Sequence, residues 1–116
     1  MPMTKRERLE ATLRGEAVDR LAIALWRHLP VDDQDPRELA TSTIAFQRQY
    51  DFDFVKVTPA SSFCLKDWGA SDVWQGDAEG TRVYTVRPVQ TPDDWRALAT
   101  LEPRAGALGN QLRCLE

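Results

Sequence analysis

The chain has 116 residues, 42% of them hydrophobic and 28% charged, with a formal net charge of -3. That is enough for one packed core but well short of the ~250 residues of a complete (β/α)8 barrel. The acidic balance excludes a general attraction to nucleic acid or to anionic membranes, so any anionic ligand must be met by locally placed Arg or Lys. The start, Met1-Pro2-Met3-Thr4-Lys5-Arg6-Glu7-Arg8, has no apolar stretch of the secretory type, and no run nears the ~20 apolar residues of a membrane span. A cytoplasmic location is therefore expected. Cys64 and Cys114 are far apart, form no CxxC motif and read as reduced, buried thiols.

Thr4 followed by Glu7 is a capping-box pattern, Leu9 and Leu13 give an apolar stripe, and Gly15 can close the helix that they define. The run Leu21-Ala22-Ile23-Ala24-Leu25-Trp26 is short and uniformly apolar, which predicts a strand covered on both faces. It ends in Arg27-His28-Leu29-Pro30 and the acidic loop 31–34. Asp35-Pro36-Arg37-Glu38 then starts a helix, with Asp35 as N-cap, Pro36 at the first helical position and Glu38 placed to close a capping box. Leu39, Thr43, Phe46 and Tyr50 share one face of that helix.

Residues 50–60 alternate apolar and polar side chains until Pro59, which predicts a second strand ending in a loop. Strand, helix and strand in this order make a βαβ unit with parallel strands. Residues 61–69 predict a short helix or ordered loop closed by Gly69. Val73-Trp74 and 81–86 flank a turn-rich stretch and predict a β-hairpin. Thr91-Pro92-Asp93-Asp94 starts another helix carrying Trp95 and Leu98, and a last amphipathic segment follows Pro103 with Leu108, Leu112 and Leu115 at helical spacing. The pattern stops at Glu116 without a C-cap, which reads as truncation of one incomplete domain, 1–116.

Loops at strand C-termini are where a rigid sheet positions chemistry, so the candidates lie there. Arg27 can hold a carboxylate bidentately at the end of the first strand, or pair with Asp32, Asp33 or Asp53. His28 suits proton transfer near neutral pH, or a structural role. Lys56 interrupts an apolar strand and either reaches an anion in a polar cavity, pairs with a carboxylate, or snorkels outward. Ser61 and Ser62 can hydrogen-bond a ligand, but no Gly-x-Ser-x-Gly elbow makes either one a nucleophile. His28 is the sole histidine and neither cysteine has ligand spacing to it, so no metal site is expected.

The blocks Pro36-Arg37-Glu38-Leu39-Ala40, Asp53-Phe54-Val55-Lys56-Val57, Leu65-Lys66-Asp67-Trp68-Gly69 and Arg87-Pro88-Val89-Gln90-Thr91-Pro92-Asp93-Asp94-Trp95 resemble, in order and spacing, the N-terminal third of the uroporphyrinogen decarboxylase family. The resemblance implies an α/β fold, the N-terminal part of a (β/α)8 TIM barrel with a β-hairpin insertion after the second barrel strand. It also implies a carboxy-lyase of porphyrin biosynthesis that needs no cofactor. Arg27 matches the first of the family's two carboxylate-binding arginines; the segment with the second is replaced by Leu29-Pro30-Val31-Asp32-Asp33. The family's aspartate at the end of the second strand falls on Ala60.

That departure resembles the divergent branch similar to corrinoid and coenzyme M methyltransferases, for which corrinoid and zinc would be held by ligands outside this chain. The expected substrate is a carboxylated tetrapyrrole or a corrinoid-linked small molecule, bound by Arg27, His28, Lys56 and Ser61. The expected assembly is a homo-oligomer or a pairing with a complementary barrel chain. A non-catalytic fragment or assembly partner is the third reading.

Overall fold

A computed structural model describes all 116 residues. The elements are α1 (Lys5–Leu13), α2 (Pro36–Tyr50), α3 (Phe63–Lys66), β1 (Ser71–Trp74), β2 (Arg82–Val86), α4 (Pro92–Ala97) and α5 (Gly106–Leu115), with a 3-10 turn at Asp32–Gln34. The chain divides into two compact units: Met1–Trp26 with Thr43–Val57, and Arg27–Ser42 with Thr58–Glu116. Helix α2 contributes residues to both.

In the first unit, Thr4 and Glu7 form the reciprocal capping box that starts α1. At its other end Gly15 takes φ +71°, and the N–H groups of Gly15 and Glu16 bond the carbonyls of Thr12 and Ala11, a Schellman closure. The buried face of α1 is not the leucine stripe. Leu13 is 78% exposed, whereas Arg8 and Ala11 are buried. Arg8 goes inside because its guanidinium is fully matched: Nε and Nη2 hold the Asp19 carboxylate at 2.7 and 2.8 Å, and Nη1 reaches Asp53 at 2.6 Å.

The segments expected as the first two strands form no ladder, and the second bends at Asp53 and Phe54. A single rung joins them, from the Asp53 N–H to the Ile23 carbonyl at 2.9 Å. A parallel ladder would next join the Ile23 N–H to the Asp51 carbonyl. Both groups are already engaged. The Ile23 N–H donates to the Asp53 carboxylate at 2.9 Å, and the Asp51 carbonyl accepts from Lys5 Nζ at 3.0 Å. Nor is the first segment covered on both faces: Leu21, Ile23, Leu25 and Trp26 are all exposed. Two parallel segments have no second layer of their own to bury an apolar face.

Helix α2 starts as expected at Pro36, with the Asp35 carboxylate accepting from the N–H groups of Arg37 and Glu38. The capping box is not completed, because the Asp35 N–H is taken by the Asp32 carbonyl of the 3-10 turn. The helix ends where Asp51 adopts φ +54° and Phe46, Tyr50 and Phe52 gather with ring centroids 4.8–5.7 Å apart.

In the second unit, β1 and β2 pair antiparallel as the expected hairpin, with Val73 opposite Val83 and Trp74 opposite Arg82. Helix α5 is started from a distance: the Asp67 carboxylate accepts from the N–H groups of Ala107 and Leu108 at 2.8 and 3.1 Å. The approach is so close that a Cβ on Gly106 would lie 2.2 Å from Asp67 Oδ1. Leu39, Ala60, Ser62, Ala70 and Cys114 are buried here. Cys64, expected inside, is exposed, while burial pushes the Cys114 thiol above its ordinary pKa.

Asp53 and Asp19 both ionise well below the usual carboxylate range. Asp53 is held down by Arg20 first, then by the Ile23 N–H and Arg8; Asp19 by Arg8 first, then by the Met3 N–H. With folded pKa values below the unfolded value near ~4, the stabilisation is complete above about pH 5 and is lost as the pH falls through and below about 4. Urea midpoints should therefore be level from neutral pH to about pH 5 and then fall. Asp53→Asn should lower the neutral-pH midpoint and flatten the acid decline. An acid decline as steep as in the parent chain would show that other carboxylates carry it.

Candidate functional site

The loops that follow the two segments expected as strands are knitted together inside the second unit, and the hairpin does the knitting. Arg82, opposite Trp74 in the sheet, donates from Nε to Asp72 Oδ1 at 2.7 Å and from Nη1 to the Pro30 carbonyl at 2.9 Å. The same Nη1 lies 3.9 Å from Asp33 Oδ1. Lys66 bonds Gln34 Oε1 at 2.8 Å and stands 3.8 Å from Asp72 Oδ1. Two cations thus face two carboxylates whose side chains are wholly buried.

Burial raises the Asp72 carboxyl, but the Ser62 hydroxyl, Arg82 and Lys66 together outweigh it and leave Asp72 below its ordinary value. Ser62 lies beside Asp72, yet neither Ser62 Oγ nor Asp72 Oδ2 makes a hydrogen bond of good geometry, and Asp33 Oδ2 also lacks one. Asp33, Lys66 and the buried Ala60 line a small polar pocket of about 40 Å³ with Asn110 and Gln111. It admits a group the size of a water or two, not a ring system.

Of the residues singled out in the sequence, Arg27 is exposed and donates weakly, at 3.4 Å, to the carbonyl of His28. None of its expected acidic partners is paired with it: Asp53 is held by Arg8 and Arg20, and Asp33 lies nearest Arg82. His28 is half-buried beneath the hairpin turn. Gly80, at φ +82°, comes so close that a Cβ there would lie 2.4 Å from the His28 Cβ. Lys56, in the first unit, places its Nζ 3.6 Å from the centroid of the Trp26 ring, a cation–π contact.

Ser61 is exposed, and its neighbour Ser62 is the one turned inside. Of the residues that organise the site, the sequence offers Ser62 as a hydrogen-bonding side chain and Asp33 as a possible partner of Arg27, but gives no role to Lys66, Asp72 or Arg82. A polar Asp72 and a basic Arg82 at the ends of hairpin strands were the available signal, since charged residues there pair across the sheet.

Comparison with protein-family models, curated proteins and solved structures finds no match. No helix is long and apolar enough to cross a membrane, and no three His, Cys, Asp or Glu side chains converge as a metal site.

Arg82→Leu leaves Asp33 and Asp72 as buried charges, so it should cost about 3 kcal/mol in urea unfolding. Adding Asp72→Leu to that variant should recover part of the loss, because the stranded charge is removed with its partner. A single-variant loss below about 1 kcal/mol would mean that water screens the cluster.

Proposed function

We propose that this chain is the N-terminal segment of a cytoplasmic, uroporphyrinogen decarboxylase-like (β/α)8 protein, its barrel completed by sequence outside these residues. One observation carries the reading. Along the first extended segment Leu21, Ile23 and Leu25 are 75%, 51% and 62% exposed, while Ala22 and Ala24 between them are half-buried. Barrel strands send large branched side chains inward, in layers completed by other strands, and turn the alternate positions toward helices. Large residues on the bare face and alanines on the covered one fit a barrel strand seen without its inner neighbours. The rung from Asp53 to Ile23 and the block-by-block resemblance support the same reading.

In this reading Arg27 holds a substrate carboxylate at the mouth of the barrel, with His28, Lys56 and Ser61 as further contacts. The chemistry is protonation of a pyrrole ring, loss of an acetate carboxylate as CO2, and return of a proton to the side-chain carbon, without a cofactor. Ala60 favours a second reading. It is buried where the family aspartate is expected and offers no carboxylate, which suits a corrinoid-dependent methyltransferase of the same superfamily. Zinc and corrinoid ligands would then lie outside this chain.

The purified 116-residue chain should not convert uroporphyrinogen to products with fewer carboxyl groups, and should self-associate in sedimentation through its bare apolar face. A polypeptide extended by the reading frame beyond Glu116 should be monodisperse. Chromatography of its porphyrin products would support the carboxy-lyase, and methyl transfer from a methylcorrinoid to a thiol the second reading. A frame that closes at Glu116, with a compact monomer in sedimentation, would defeat both.

A further inference from the structure

Apart from these loops, the second unit contains an apolar cleft of about 390 Å³ that none of the residues discussed above as substrate contacts lines. Its walls include Leu65, Trp68, Tyr84, Val89 and Trp95, and its one charged lining residue is Arg87. We infer that this cleft binds a small planar aromatic anion, its ring against Trp68 and Trp95 and its negative group on the Arg87 guanidinium. The inference does not depend on the barrel reading.

Four observations support it. The volume falls in the range of small-ligand sites, roughly 300–1,000 Å³, and at the lower end, which suits one or two fused rings rather than a macrocycle. The Trp68 indole N–H already donates to the Ala99 carbonyl at 2.7 Å, so that ring is held in place and needs no polar partner from a ligand. Arg87 lies with its guanidinium carbon 5.6 Å from the Tyr84 ring centroid and pairs with no carboxylate, so an incoming anion has no competitor. Trp95 is 67% exposed at the edge of the cleft, where a bound ring would cover it. An uncharged apolar ligand would use the walls but ignore Arg87.

The test is a titration of the full chain, labelled with 15N, with 8-anilinonaphthalene-1-sulfonate and separately with N-phenyl-1-naphthylamine, the same aromatic frame without the sulfonate. The four tryptophan indole signals report the site, with Trp68→Phe and Trp95→Phe providing the assignments. The sulfonate should move the Trp68 and Trp95 signals together along one saturable curve and leave Trp26 unmoved. Arg87→Leu should weaken the sulfonate about tenfold, the effect of one charge-assisted contact, while binding of the uncharged dye stays level. Arg87→Lys should restore much of the sulfonate affinity. Equal weakening of both dyes, no weakening of either, movement of Trp26 in place of Trp68 and Trp95, or Trp68 and Trp95 shifts that follow protein concentration without dye would each overturn the inference. The last would make the cleft a contact between copies of the chain.

Discussion

The first unit depends on one carboxylate. Asp53 accepts from Arg8 at 2.6 Å, from both terminal nitrogens of Arg20 at 2.5 and 2.9 Å, and from the Ile23 N–H at 2.9 Å, while its own N–H bonds the Ile23 carbonyl. Four donors on two oxygens satisfy the group almost completely, which is the condition for keeping a charge with only 2% of its side chain exposed. The same residue ties three stretches distant in sequence: helix α1, the turn at Arg20 and the segment after α2. It also does by side chain what a ladder would do by backbone, since its carboxylate takes the Ile23 N–H that a parallel neighbour would otherwise accept.

The second unit solves a related problem differently. Its central cation, Arg82, reaches two buried carboxylates and a backbone carbonyl, but here three oxygens, Asp33 Oδ2, Asp72 Oδ2 and Ser62 Oγ, have no bonded partner. Buried ion clusters of this kind contribute little net stability over an apolar core and much more to the choice of one arrangement over others. Arg82 meets Pro30 of one loop and Asp72 of the strand that follows the other, so the arrangement it selects is the seating of the hairpin on the loop that carries Arg27 and His28. Gly80 adds a steric condition, because only a residue without a side chain lets the turn lie against His28.

Local chemistry was legible in the sequence and long-range chemistry was not. The capping residues Thr4, Asp35 and Thr91, the Pro36 and Pro92 starts and the turn at 75–80 act within a few residues, so helices α1, α2 and α4 and the hairpin could be read directly. Burial depends on partners elsewhere in the chain. Arg8 is buried only because Asp19 and Asp53 are brought to it, and it takes the side of α1 that the stripe of Leu9 and Leu13 would otherwise suggest is inner. At the site the same limit held. Arg27, His28, Ser61 and Ser62 stand out by their chemistry at expected strand ends and Lys56 by its charge within one, whereas Asp72 and Arg82 matter through contacts that only the folded hairpin creates.

The bare face of Leu21, Ile23 and Leu25 connects the fold to function. Its apolar area is not an isolated exposed leucine, which surfaces tolerate, but consecutive same-face positions on an extended segment whose backbone groups are mostly unpaired. Each such side chain gains roughly 1.5–3 kcal/mol on full burial. Covering three of them together with free backbone donors and acceptors strongly favours another strand alongside over a helix, which would cover side chains but leave the backbone groups to water. A parallel neighbour continuing the rung at Ile23 would satisfy both demands at once. In the proposed barrel such a neighbour would turn the large residues into the interior layers of a closed sheet and leave Arg27 at its rim, so the exposed face and the proposed carboxylate contact would answer one packing problem.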